Sequence, residues 1–186
     1  MVFQRLGDFF LDILEVFVTS FAIFLFFYLL VLQPHKINGN SMEPNFHDGQ
    51  YLLTDKLSYR FREPQRGDVV VFEPPVNEEE EYIKRIIGLP GDAISIKDGH
   101  FFINGVNLSE DYIPANIYTK GKSFLPNNSE KVVPQGSYFV SGDNREYSSD
   151  SRYWGFITKD KITGKAWLIY WPPKDMGFIK EGEYSF

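Results

Sequence analysis

A serine hydroxyl attacks a carbonyl carbon only when a base takes its proton. Three polar segments of this 186-residue chain carry residue types suited to that chemistry. They are Gly39-Asn40-Ser41-Met42-Glu43-Pro44; Tyr82-Ile83-Lys84-Arg85-Ile86-Ile87-Gly88, continued by Leu89-Pro90-Gly91-Asp92; and Gly142-Asp143-Asn144-Arg145-Glu146-Tyr147-Ser148-Ser149-Asp150-Ser151-Arg152. The usual base is a histidine oriented by a carboxylate. The three histidines are poorly placed for this: His35 follows a long apolar stretch, His47 sits in the turn-like Phe46-His47-Asp48-Gly49, and His100 follows Asp98-Gly99. Lysine is the remaining candidate.

An exposed lysine is protonated at neutral pH and cannot act as a base, so a catalytic lysine must be buried among apolar groups that lower its pKa. The surroundings of Lys84 suit this. If Tyr82 to Ile87 form a strand, alternation places Lys84 on one face with Tyr82 and Ile86, and Ile83, Arg85 and Ile87 on the other. A lysine snorkelling from an edge strand is the competing reading. Ser148, Asp150 and Arg152 stand two apart, so in an extended stretch they share a side and could support the amine. The alternative is a capped surface turn, which Asp, Asn and Ser commonly make.

The elements that would position these groups are a helix and many short strands. Val16–Leu32 is a run of 17 uncharged residues, and a helix from about Phe9 to Leu32 is long enough to cross a bilayer. A cleavable signal sequence would have a shorter apolar core followed by small residues, whereas Gln33-Pro34-His35-Lys36 follow here. Asp8, Asp12 and Glu15 share a helical face near the headgroup layer. Charge leaves the orientation open, with Arg5 on one side and Lys36 on the other.

Beyond Lys36 the chain alternates β-rich runs with turn residues, such as Gly67 to Phe72 ending at Pro74-Pro75. Ala93–Lys97, Asp98-Gly99 and His100–Ile103 predict a hairpin on a type I′ turn, with Asn104-Gly105 closing another. No long amphipathic period appears, so any further helices should be short. The expected fold class is mainly β, an antiparallel two-sheet or partly rolled domain behind one N-terminal transmembrane helix. Tyr138, Phe139, Trp154, Phe156, Trp167, Tyr170 and Trp171 crowd the last third and read mostly as core.

The net charge is −6, and the one dense charge run, residues 78–81, is acidic, so nucleic-acid binding is set aside and the run reads as a solvated loop. With no cysteine, neither a disulfide nor a thiolate metal site can form. No ligand cluster with metal spacing occurs, so neither a metal nor an organic cofactor is expected.

The three polar segments, with Arg66-Gly67-Asp68-Val69-Val70-Val71-Phe72 between them and the apolar stretch in front, resemble type I signal peptidases of the bacterial kind over nearly all of residues 33–170. The resemblance implies a membrane-bound serine endopeptidase that removes signal peptides after small residues (the A-x-A pattern) through an acyl-enzyme. Ser41 matches the nucleophile and Lys84 the general base. Ser148 matches a serine whose hydroxyl bonds the amine, Asp150 with Arg152 an ion pair behind it, and Asp143 the partner of Arg85. The Ser41 N–H is the implied oxyanion donor; some relatives add a serine hydroxyl two residues earlier, where this chain has Gly39. Ile37, Met42, Tyr82 and Ile83 are the candidate pocket residues. The motif usually continues Ser-Met-x-Pro-Thr-Leu; here Asn45 and Phe46 stand instead, and Phe46 is expected to narrow the pocket.

Residues 1–8 are then a cytoplasmic terminus, 9–32 the anchor and 33–186 the catalytic domain on the outer face of the cell membrane. The partners are signal-peptide-bearing preproteins and the lipid bilayer, and the chain is expected to act as a monomer. Self-cleaving repressors share the Ser/Lys pair but carry a helical DNA-binding segment where this chain is apolar. A tethered binding module, the other alternative, requires neither Ser41 nor Lys84.

Overall fold

In the computed structural model, residues 2–77, 79–180, 182 and 184 are described, the side chains of residues 2–6 and 29 excepted. Helix α1 (Val2–Leu30) contains an apolar span, Gly7–Tyr28, with mean hydropathy 2.2 and none of it buried. Its rows of exposed Phe, Ile, Leu and Val are left uncovered by the described residues, and by length and composition the helix could cross a bilayer. The helix stops two residues short of the Leu32 expected. Leu32–Lys36 instead form strand β1, because its backbone pairs with β2 (Tyr51–Asp55), Leu32 opposite Asp55.

The remaining elements are α2 (Ser58–Phe61), β3 (Val69–Phe72), β4 (Tyr82–Gly88), β5 (Ala93–Lys97), β6 (His100–Ile103), β7 (Val106–Asn107), β8 (Glu130–Val132), β9 (Ser137–Ser141), α3 (Ser151–Trp154), β10 (Ile157–Thr158), β11 (Ile162–Trp171) and β12 (Gly177–Phe178). Eight strands form a larger sheet in the order β1-β2-β11-β3-β4-β9-β10, with β12 on β11, curled into a half-barrel; β7-β6-β5-β8 form a second. The pairings are antiparallel, and the helices beyond α1 span four residues each. The β5–β6 hairpin turns at Asp98 (φ 48°) and Gly99 (φ 81°), the positive angles a type I′ turn needs.

Alternation along β4 divides the core. Ile86 packs with Val70, Phe72 and Val140, Ile87 with Ile94, Phe101 and Phe139, and Ile83 against Met42, Val69 and Val71. These clusters hold β4 rigidly at the middle of the larger sheet. Of the late aromatics, Tyr138 and Phe139 are buried, whereas Trp167 and Trp171 are exposed. Glu79, Glu80 and Glu81 are exposed as expected of the acidic loop; Glu78 lies outside the described residues.

Candidate active site

Ser41 opens a tight turn, in which the Phe46 N–H donates to the Met42 carbonyl at 3.1 Å. Met42 and Phe46 reach into the core beside Ile37 and Leu52, which leaves the intervening backbone pinned and Ser41 half-buried at the surface. Lys84 comes from the centre of β4. Its Nζ donates to Ser41 Oγ at 2.8 Å and to the Ile83 carbonyl at 2.8 Å, and lies 5.2 Å from the centre of the Tyr82 ring. With the residue only 4% exposed, burial pulls the amine from 10.5 down to about 8, although the charges of Asp150 and Asp143 work against that fall. A hydroxyl against a buried amine that readily loses its proton can be activated for attack on a carbonyl carbon.

The loop 142–152 lies behind this pair. Asp143 accepts two hydrogen bonds from Arg85, from Nε at 2.9 Å and Nη2 at 2.7 Å, with both side chains buried. Asp150 accepts from Arg152 Nε and Nη2, each at 2.8 Å, both side chains fully buried. Burial pushes the Asp150 carboxyl up, but Arg152 and the Gly142 N–H outweigh it and hold the group below its ordinary value. The stretch is not extended through Arg152, as the two-residue spacing suggested: Asp150 is the N-cap of α3, accepting from the Arg152 N–H, so the arginine doubles back on its own cap.

Ser148 is buried, and its hydroxyl makes no well-formed hydrogen bond among the described residues but lies close enough to Asp150 to help hold that carboxyl below its ordinary value; the bonds Lys84 Nζ makes there go to Ser41 and Ile83. Gly142 passes so close that a Cβ on it would lie 2.3 Å from both Ser148 Oγ and the Ser41 carbonyl oxygen. Gly39 takes φ +85° and donates its N–H to Asp48 at 2.7 Å, a conformation that favours glycine over serine.

Residues beyond the expected set complete the site. The Asn144 N–H donates to the Ser41 carbonyl at 3.1 Å and its side chain to the Asn40 carbonyl at 3.0 Å. Arg145, 1% exposed, donates to both Glu110 oxygens, to Thr119 and to the Tyr112 hydroxyl. Asn45 bonds Asp143. A surplus of buried arginine in a loop was the available signal, but nothing in the spacing says that Glu110 is its partner.

A groove of about 650 Å³ runs past Ser41. Residues 35–41 form one wall and 80–84 the other; Ile37, Tyr82 and Ile83 line it, with Leu52 and Val71. Met42 is 1% exposed and packs beneath, and Phe46 lines a separate hollow with Arg85 and Tyr112, so it does not narrow this groove. Both walls carry backbone edges that no strand pairs among the described residues: β1 is the last strand of its sheet, and β4 meets β9 only from Arg85 onward, with the Ile83 carbonyl taken by Lys84 Nζ. At the far end His35 Nε2 bonds Glu81 at 2.7 Å, tying the walls together on the side where α1 arrives. Among the described residues no cluster of His, Cys, Asp or Glu could hold a metal ion.

Residues 10–171 match the family described as signal peptidase, peptidase S26, and the chain belongs to that family. It is accordingly a hydrolase, a serine endopeptidase. It is 36% identical to a probable signal peptidase I-2 of Synechocystis over 92% of this chain and 78% of the relative. To signal peptidase IB of Staphylococcus aureus strain MRSA252 it is 34% identical over 98% of this chain and 95% of the relative. A crystal structure of a signal peptidase I from Enterococcus faecalis aligns with 35% identity and a TM-score of 0.46, covering 56% of this chain and 97% of that one.

Proposed function

We propose that this chain cuts signal peptides from exported preproteins after small residues of the A-x-A kind, using Ser41 as nucleophile and Lys84 as general base. The observation that carries the reading is the 2.8 Å contact between a hydroxyl in an open groove and a buried amine with pKa lowered to about 8. The extended substrate lies between the edges of residues 35–41 and 80–84, pairing through its backbone. Ile37, Tyr82 and Ile83 contact its small side chains, with Met42 supporting them from below.

Neutral Lys84 Nζ takes the Ser41 proton as Oγ bonds to the scissile carbonyl carbon, and the carbonyl electron pair moves to oxygen. The Ser41 N–H, which makes no hydrogen bond among the described residues, faces that oxyanion. As the tetrahedral centre collapses, the C–N bond breaks and the Lys84 ammonium returns its proton to the leaving amine. A water then repeats the sequence on the acyl-enzyme: Lys84 takes its proton, its oxygen bonds to the carbonyl carbon, and the proton returns to Ser41 Oγ as the acid leaves. Ser148, buried beside Asp150, steadies the amine while it carries charge, and the Asp150–Arg152 and Asp143–Arg85 pairs fix the loop and strand that present it.

The anchor is drawn from residues 9–32, the helix ending at Leu30, with residues 1–8 in the cytoplasm and 33–186 forming the catalytic domain on the outer face of the cell membrane. The chain acts as a single-pass monomer in the bilayer. The groove opens beside the end of the chain where α1 arrives, so a preprotein held in the same membrane by its own apolar helix presents its cleavage site at the level of Ser41. The test is cleavage of a preprotein by the full chain in detergent or vesicles, beside Ser41→Ala and Lys84→Met. Both substitutions are expected to abolish turnover while the β circular dichroism persists. Turnover retained by either would overturn the Ser/Lys assignment.

A further inference from the structure

The contact between Ser41 and Lys84 joins two separate pieces of chain, a turn and a strand, and something must hold them in register to within a fraction of an ångström. On the strand side the register is set beside the amine: Arg85, next in sequence to Lys84, is held by both oxygens of Asp143. On the turn side Asn144 grips the backbone of Asn40 and Ser41. The link between the far end of the turn and the strand is Asn45. Its Nδ2 donates to Asp143 Oδ2 at 2.8 Å, the oxygen that also receives Arg85 Nη2, and to the Tyr112 carbonyl at 2.8 Å.

Tyr112 is itself built into the same knot. Its ring lies 4.0 Å from the Arg85 guanidinium carbon, edge-on to Tyr184, and its hydroxyl receives Arg145 Nη2 at 3.1 Å. Arg145 is paired in turn with Glu110 and bonded to Thr119, so residues 110–119 are fastened to the loop that carries Asp143. A hydroxyl at this position would have one hydrogen and could satisfy one acceptor; the Asn45 amide has two and satisfies both.

We propose that Asn45 is a positioning residue of the peptidase reaction, fixing the Ser41 turn at once to the Arg85–Asp143 pair and, through Tyr112, to the excursion between β7 and β8. The inference rests on the peptidase reading given above. In its absence Met42 and Phe46 still bury their side chains, so the fold persists, but the Ser41 hydroxyl samples positions away from Lys84 Nζ.

The experiment compares the full-length wild type with Asn45→Ala, Asn45→Thr and Asn45→Asp on one preprotein, recording kcat, KM, the kcat–pH profile and Tm. Asn45→Ala is expected to lower kcat roughly tenfold, the loss of a well-formed alignment, with KM within about twofold. Its profile keeps the wild-type midpoint, because Lys84 remains buried. Asn45→Thr, able to reach Asp143 alone, recovers part of the loss, and Asn45→Asp, whose carboxylate meets Asp143, falls below Asn45→Ala. Equal kcat in wild type and Asn45→Ala would overturn the inference and leave the peptidase reading intact. So would a kcat loss matched by the loss of folded protein, or one unaltered by threonine. A wild type that leaves the preprotein whole would instead overturn the peptidase reading.

Discussion

Lys84 illustrates what burial does to a single group. The fall from 10.5 to about 8 means that activity is expected to rise with pH through about 8 and level off above it, as measured by kcat/KM on a preprotein. A midpoint near 10 or a flat profile would contradict a buried lysine base. The same burial has a stability consequence whose sign is fixed. Below pH 8 both folded and unfolded chains carry the ammonium, and the folded state bears its desolvation; between about 8 and 10.5 the unfolded chain binds more protons, so stability rises with pH. Lys84→Met removes this cost, and denaturant unfolding at pH 7 should find it more stable by up to about 3 kcal/mol, the gap fading above pH 10.5. A less stable Lys84→Met would show that the amine is favourably placed as an ion.

At the scale of elements, the loop 142–152 is a short length of chain that buries three arginines (Arg145, Arg152 and, from β4, Arg85) against Glu110, Asp150 and Asp143. Breaking such a pair leaves one charge buried and uncompensated: Asp150→Asn, which can still cap α3 through its amide oxygen, is expected to lower stability by about 3–5 kcal/mol in a denaturant titration. Gly142→Ala acts differently. Its Cβ would press on Ser148 Oγ and the Ser41 carbonyl at 2.3 Å, so the loop must withdraw from the Ser41 turn. Overpacking of this kind costs about 1–3 kcal/mol, while preprotein turnover is expected to fall by about two orders of magnitude. The hairpins and the alternation of β4 were legible from residue types, because turn chemistry and period-two patterning are local. The bend of the chain at Asp150 was not: a two-residue spacing fits an extended stretch and a capped turn alike, and which one forms depends on the buried site that receives Arg152.

For the molecule as a whole, α1 and the β domain meet through little more than the step from Leu30 into β1 and the Lys56 N–H on the Val31 carbonyl, at 2.9 Å. The β domain should therefore keep its circular dichroism and Tm when residues 1–31 are removed. Cleavage of a short soluble peptide spanning the cut should change less than about threefold, while that of a preprotein in the same vesicles falls at least about tenfold, because the shared membrane supplies effective concentration. Equal losses on both substrates would show that the helix shapes the groove itself.

Residue order alone determined the apolar helix, the mainly β class, the candidate pair Ser41 and Lys84 and, by family resemblance, the pairing of Arg85 with Asp143 and Arg152 with Asp150. These depend on local periodicity or on motifs that lie contiguous in the chain. Tertiary structure alone decided that Ser41 and Lys84 stand 2.8 Å apart, that Met42 lies beneath the groove while Phe46 lines a separate hollow, and that Glu110, Tyr112 and Asn45 converge behind it. Such convergence brings together side chains from 33 to 98 positions apart, and the choice among possible partners is made by the shape of the packed sheets rather than by any feature of the segments themselves.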